Sequence, residues 1–281
     1  MTPVYLLTIK NSKREFKIKK KLDLLKIKYK IFYAIDGRDP VNFGTLDRYY
    51  DSKKSHYHLG REMTYFEKSC AEGHQRIYKY IIKKNIKNAV IIEDDCKPSK
   101  LLLKWLNLND YFKKNKYDII QIFHSFGKVY KSSCRKIMNF SIYQSCFVIP
   151  YTTCYQISQN ACRHIIKKNK KIGRLVDWPI NIHEGKIKQY VVMPDLVTLF
   201  PDHMTTSAQR NSWKIHSFFK LLKKVIPFYD VFTAIYYFSH LPYIFSSARD
   251  YSYYKEKFLM KKIFYIKALF SSNEYIDIAK K

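Results

Sequence analysis

The chain opens on a short unbroken apolar run, Val4 to Ile9, held between Pro3 and Lys10. Continuous apolar character over so few residues predicts a strand covered on both faces, as in the middle of a parallel sheet. The rhythm then changes. From Asn11 to Lys30 lysines dominate, yet Phe16, Ile18, Leu22, Leu24, Leu25 and Ile27 recur at roughly helical spacing. Asn11 or Ser12 can cap the start of that helix. Tyr29 to Ile35 returns to strand character and stops at Asp36-Gly37, a turn signal. Strand, helix and strand together make one βαβ unit.

Asn42 to Arg61 is polar, rich in Tyr and His and without a period, which predicts a loop. A second helix is expected from Thr64 through Glu67, Cys70, Ala71, His74, Ile77, Tyr78 and Ile81, and Thr64 and Glu67 have capping-box spacing. Ala89-Val-Ile-Ile92 is a fully apolar strand that ends abruptly in Glu93-Asp94-Asp95. Ile119 to Phe123, Cys146 to Ile149 and Tyr190 to Met193 predict further strands, and Ser158 to Lys168 a further helix. Strands alternating with helices at this interval predict an α/β fold, a mostly parallel Rossmann-type sheet flanked by helices. Ligands bind such sheets beyond the carboxyl ends of the strands, which directs attention to the residues after Ile92.

The texture shifts near residue 213, so the expected division is 1–212 and 213–281. The second part carries 12 basic and five acidic residues among dense aromatics, and Pro227 and Pro242 divide it into short helices. Basic, aromatic helices of this kind can lie in the headgroup layer of an anionic membrane; a helical subdomain packed on the core is the other reading.

Charge and cysteine content narrow the partners. With 52 Lys and Arg against 23 Asp and Glu, the net charge of +29 attracts anionic partners: nucleic acid, lipid headgroups or phosphorylated glycans. A Lys-rich composition bias explains part of it. The basic residues are spread along the whole chain and form no nucleic-acid module, so nucleic acid is not the expected partner. None of the six cysteines has CxxC or zinc-site spacing, and they are expected as reduced thiols. The opening residues lack a basic region before the apolar run, and no stretch of about 18 apolar residues occurs. The expectation is a cytoplasmic protein.

Three adjacent acids at the end of a buried strand repel one another unless a cation neutralises them. In an extended segment Glu93 and Asp95 project to one side and Asp94 to the other. Two carboxylates on one side suit a hard divalent ion, Mg²⁺ or Mn²⁺, with coordination positions left open for diphosphate oxygens. His203, in Pro201-Asp-His-Met-Thr-Thr-Ser207, is a candidate further ligand. A solvated acidic turn is the plain alternative.

Met63-Thr-Tyr-Phe-Glu-Lys-Ser-Cys-Ala-Glu-Gly-His74 followed by Ala89-Val-Ile-Ile-Glu-Asp-Asp95 resembles glycosyltransferase family 25, which includes lipooligosaccharide and collagen galactosyltransferases. Ala34-Ile-Asp-Gly37, Val4 to Arg14, Cys154 to Ala161, Asp177-Trp178 and Pro194-Asp-Leu-Val197 are similar to further family segments. The resemblance covers about residues 3 to 210. Thr8-Ile9 stands where the family usually has Asn-Leu, Phe66 replaces a usual Gly, and Gly73 a usual Ser. The resemblance implies a GT-A-like fold, inversion at the anomeric carbon, a UDP-sugar donor, and galactose transfer to a lipooligosaccharide or LPS acceptor. Together with the basic, aromatic region 213–281, the expectation is a peripheral protein on the inner face of the bacterial inner membrane.

Direct displacement needs a base, a positioned donor and compensation for the departing diphosphate. Asp177, beside Trp178 whose indole can stack on a sugar, is the first choice of base; an ordinary helix cap is the alternative. Asp94 orients the strand end or touches the donor ribose or sugar. Thr8, Arg14, Asp36, Glu67, His74 and Glu93 are the candidate donor-binding positions. Arg14 would hold diphosphate and Asp36 the uridine or ribose. Glu67 and His74, seven apart on one helix face, either line the donor pocket or support it as a buried pair. The rival readings are a non-catalytic scaffold of the same fold and a basic nucleic-acid-binding protein.

Overall fold

A computed structural model describes residues 1–59, 62–124, 127–146, 149, 151–176, 187–201 and 275–278. The opening apolar run forms β1 (Val4–Thr8), and Ser12 caps α1 (Lys13–Leu24) by accepting from the Glu15 backbone N–H. The chain returns in β2 (Tyr29–Tyr33), parallel to β1. The stretch expected as a loop instead holds α2 (Phe43–Arg48) and α3 (Ser52–Leu59). Periodicity missed them because α2 buries a single side chain, Leu46, and most of α3's described side chains are exposed.

The long α4 (Tyr65–Lys83) starts with the predicted capping box, Thr64 and Glu67 each bonding the other's backbone N–H. It leads to β3 (Asn88–Glu93), β4 (Cys96–Pro98), α5 (Lys100–Leu106), α6 (Asn109–Lys114) and β5 (Ile119–Gln121). Then come β6 (Lys128–Tyr130), β7 (Arg135–Ile137), β8 (Phe140–Gln144), β9 (Cys154–Ser158), α7 (Gln159–Lys168), β10 (Gln189–Met193) and β11 (Val197–Leu199). Of the strand expected at Cys146 to Ile149, Cys146 lies in a bend and Ile149 in no strand, while 147 and 148 lie outside the described residues; β8 ends at Gln144.

Eight strands form one sheet in the order β2-β1-β3-β9-β5-β10-β8-β7. β9 runs against both neighbours, as does β8, so six of the eight strands share one direction. The result is an α/β sheet, mostly parallel by strand direction, with an opposed strand at its centre. Alternate residues serve opposite faces. Val4, Leu6, Val90 and Ile92 pack with Ile18 and Leu22 of α1, Leu102 and Trp105 of α5 and Phe112 of α6. Tyr5, Leu7, Ala89 and Ile91 pack with Ile77 and Ile81 of α4 and Cys162 and Ile165 of α7. Burial on both faces explains the unbroken apolar runs of β1 and β3.

Asp177, His203 and most of the expected helical region 213–281 lie outside the described residues. Within that region Tyr275–Asp277 forms β12, paired with β6, and Ile278 packs with Val129, Ile149 and Val191. No helix among the described residues is long and apolar enough to cross a membrane.

Candidate active site at the end of β3

The parallel pairing of β1 and β3 brings Thr8 and Glu93 to the same sheet edge, with Leu7 directly opposite Glu93. β3 stops at Glu93, and Asp94-Asp95 form a turn into β4. The side-by-side projection expected for Glu93 and Asp95 therefore has no basis, because strand alternation does not continue past Glu93. β4 pairs with β11, and the Phe200 backbone N–H donates to the Asp95 carbonyl at 2.9 Å. The turn is braced from a segment a hundred residues away.

Each acid in the run meets a different environment. Asp94 Oδ2 accepts from the Thr8 hydroxyl at 2.6 Å, and Oδ1 lies 3.8 Å from Arg14. Burial raises the Asp94 pKa, against the lowering effects of Thr8 and Arg14. Arg38, unrecognised from sequence, sits on the same side. It chelates Asp36 at 2.6–3.1 Å, and the Asp36 hydrogen bond, assisted by the Asp94 charge, raises the arginine's pKa. Asp36 is lowered chiefly by that same bond. Gly37 beside it is obligatory, since a Cβ there would collide with the Tyr65 carbonyl.

Glu93 turns inward. Its Oε1 lies 3.0 Å from His74 Nε2, and His74 Nδ1 lies 2.7 Å from the Tyr155 hydroxyl, which in turn lies 2.6 Å from that of Tyr78. Cys70 Sγ approaches Glu93 Oε1 at 3.9 Å, and the Thr152 side chain adds a hydrogen bond. Burial alone would raise the Glu93 pKa; His74, Thr152 and Cys70 outweigh it and the net shift is downward. An ionised carboxylate only accepts, which assigns the Nε2 proton to the imidazole. His74 is fully buried, so it supports the strand end from behind and does not line a donor pocket. α4 can approach this closely because Gly73 has no side chain; a Cβ would meet Leu7 Cδ1 at 2.7 Å. Cys70, His74 and Glu93 bring three potential ligand atoms within 4.8 Å of one another, but hydrogen bonds already satisfy that set without an ion.

Asp95 is the opposite case. Its Oδ1 is buried with no hydrogen-bond partner. Burial, with the charges of Glu93 and Asp94 added, pushes its pKa up to about 8. A carboxylate oxygen left bare beside two other acids fits a divalent cation: it is an anionic ligand short of a positive partner.

Glu67 acts through the capping box at the start of α4, and Asp177 and His203 lie outside the described residues. A second polar pair lies further along the same edge, past β5 and β10. His124 Nε2 is 2.8 Å from Asp195 Oδ1 and 3.1 Å from the Val192 carbonyl, while Nδ1 is buried without a partner. Thr152 and Arg38 had no usable sequence signal, because their roles depend on strand pairing and loop placement; Tyr155 and Asp195 fell within the family-like segments Cys154 to Ala161 and Pro194 to Val197, with no role attached to either.

The chain is similar to the crystal structure of A197 from STIV, with 12% identity, a TM-score of 0.38, and coverage of 72% of this chain and 87% of that one. It is also similar to a Bacillus anthracis structure described as a glucose-1-phosphate thymidylyltransferase, with 13% identity, a TM-score of 0.33 and coverage of 75% and 95%. No curated protein matches. The sequence model for glycosyltransferase family 25 (LPS biosynthesis protein) matches residues 1–180, which include β1, α1, α4 and the whole acidic turn. The chain belongs to glycosyltransferase family 25, a family of LPS-biosynthesis glycosyltransferases.

Proposed function

We propose that this glycosyltransferase takes a hexose, galactose first, from a UDP-sugar and inverts the anomeric centre as it delivers the sugar to a lipooligosaccharide or LPS acceptor. The observation that carries the reading is the unpartnered Oδ1 of Asp95 at the carboxyl end of β3. Asp95 would hold Mn²⁺ or Mg²⁺, with His203 the candidate partner from later in the chain. Glu93 was the other expected ligand, but its hydrogen bonds to His74 make it the anchor of the turn. A bound divalent cation would supply charge compensation for the departing diphosphate.

The remaining roles belong to the chain's own residues. Arg14 and Arg38 bring two guanidinium groups to the Asp94 side of the turn, suited to diphosphate oxygens. Thr8 and Asp94 hold the β1 and β3 ends together at 2.6 Å, so the floor of the donor site is one bonded unit. Asp36, held by Arg38, is the proposed contact for the uridine or ribose. Asp177 is the proposed base on the acceptor hydroxyl, with Trp178 stacking on the sugar. The GT-A-like domain spans 1–212, and 213–281 would contact the anionic inner face of the bacterial inner membrane from the cytoplasm.

The deciding experiment is a panel of UDP-sugars incubated with Mn²⁺ and lipooligosaccharide, scored for transfer and hydrolysis, for wild type and Asp95→Asn. Metal-dependent turnover of one donor, lost in a folded Asp95→Asn protein, is expected. Full activity in that variant would refute the reading.

A further inference from the structure

The outer face of α1 combines two features that a helix exposed only to water does not need. Phe16 and Leu24 are 63% and 73% exposed, an unusual outlay of large apolar surface on one 12-residue helix. Lys13, Lys17 and Lys20 are exposed with them. At 3.6 residues per turn these five side chains fall within an arc of about 100°, while Ile18, Leu22 and Leu25 occupy the opposite side and pack in the core. Asp23, at the margin of the arc, is the acid exposed on this helix. The exposed Val41 and Met138 lie outside helix α1.

We propose that this face of α1 is a docking surface for an anionic phospholipid bilayer, with Phe16 and Leu24 entering the headgroup layer while the lysines engage lipid phosphates. The charge pattern fits a negative surface. The two apolar side chains favour a bilayer over nucleic acid, whose phosphates would be met by lysines alone. Long lysine stems let the ammonium groups reach outward while the helix settles closer. The position also has a use, which rests on the transferase reading above. α1 begins at Lys13, its Arg14 beside the acidic turn, and extends for about 18 Å. A bilayer lying along α1 would therefore bring headgroup-bound glycolipid close to the donor site. In sequence, α1 lies outside region 213–281.

The test uses the full chain with Phe16→Trp, an exposed position that tolerates the change, and vesicles of phosphatidylethanolamine and phosphatidylglycerol, with and without brominated acyl chains. The parent protein supplies the background of Trp105, Trp178 and Trp213. Emission from the introduced indole should shift to the blue on vesicles and be quenched by the brominated lipid. Phe16→Ser with Leu24→Ser should weaken vesicle binding about tenfold. Vesicle binding with the new indole still in water overturns the proposal, as does binding unchanged by the double serine variant. A blue-shifted signal from that indole in the absence of vesicles overturns it too, by showing that the chain itself or a second copy covers the face. Random DNA that protects α1 from solvent while vesicles do not would assign the face to nucleic acid. UDP-sugar hydrolysis, measured alongside without vesicles, should not change in the double variant. Its absence in wild type would strike the transferase reading and leave the vesicle result standing.

Discussion

Two polar clusters meet where β3 ends, and they are built in opposite ways. Behind the sheet, Glu93, His74, Tyr155 and Tyr78 form a chain of hydrogen bonds in which each member meets the next within 3.0 Å. Two residues further along, in the turn, Asp95 keeps a buried oxygen with nothing to bond. The same burial acts on both acids, yet Glu93 ends with a lowered pKa and Asp95 with one near 8. The contrast separates stability from function. A satisfied buried network fixes geometry, whereas an unsatisfied group persists where a ligand completes it.

The comparison can be broken most sharply at Asp95. Asp95→Asn should cost on the order of 10³-fold in kcat, about 4 kcal/mol of transition-state stabilisation, with circular dichroism and melting temperature maintained or raised. The closed cluster should respond the other way. His74→Ala leaves Glu93 buried without its partner and should cost about 3 kcal/mol in chemical denaturation. The next effect is in pH. Asp95 binds its proton more tightly folded than unfolded, so the metal-free protein should lose stability as pH rises from about 4 to about 8, with no further loss from this group above that. Asp95→Asn should flatten that part of the stability profile, and Mn²⁺ binding should strengthen across the same range because it displaces the proton. The smallest change is Tyr155→Phe, which removes one hydroxyl from the buried chain and should cost about 1 kcal/mol, with kcat little altered.

Much of the frame was legible in the sequence because local and global signals coincided. The unbroken runs of β1 and β3 mark strands buried on both faces, and Ser12 and the Thr64–Glu67 box mark the starts of α1 and α4. What escaped depends on long-range pairing. Nothing in Cys154–Ser158 tells that β9 runs against β3 or that Tyr155 sits opposite Ile91, the register from which it reaches His74. The acidic run was identifiable as a site, but its internal division was not. An alternation argument assumes a strand, and the strand stops at Glu93. Arg38 escaped for a related reason: its bearing on Asp94 comes from a loop placed by the α4 contact at Gly37.

The β4–β11 ladder carries one more consequence, concerning the order in which the molecule is made. Thr8, Arg14, His74 and the three acids have all left the ribosome before residue 100, yet the strand that clasps the acidic turn spans Val197–Leu199. A nascent chain can bring the ends of β1 and β3 together early but cannot hold Asp95 in its final posture until roughly the first 200 residues have emerged. On the role proposed for Asp95, truncated translation products would lack activity, even those long enough to include every acid of the turn.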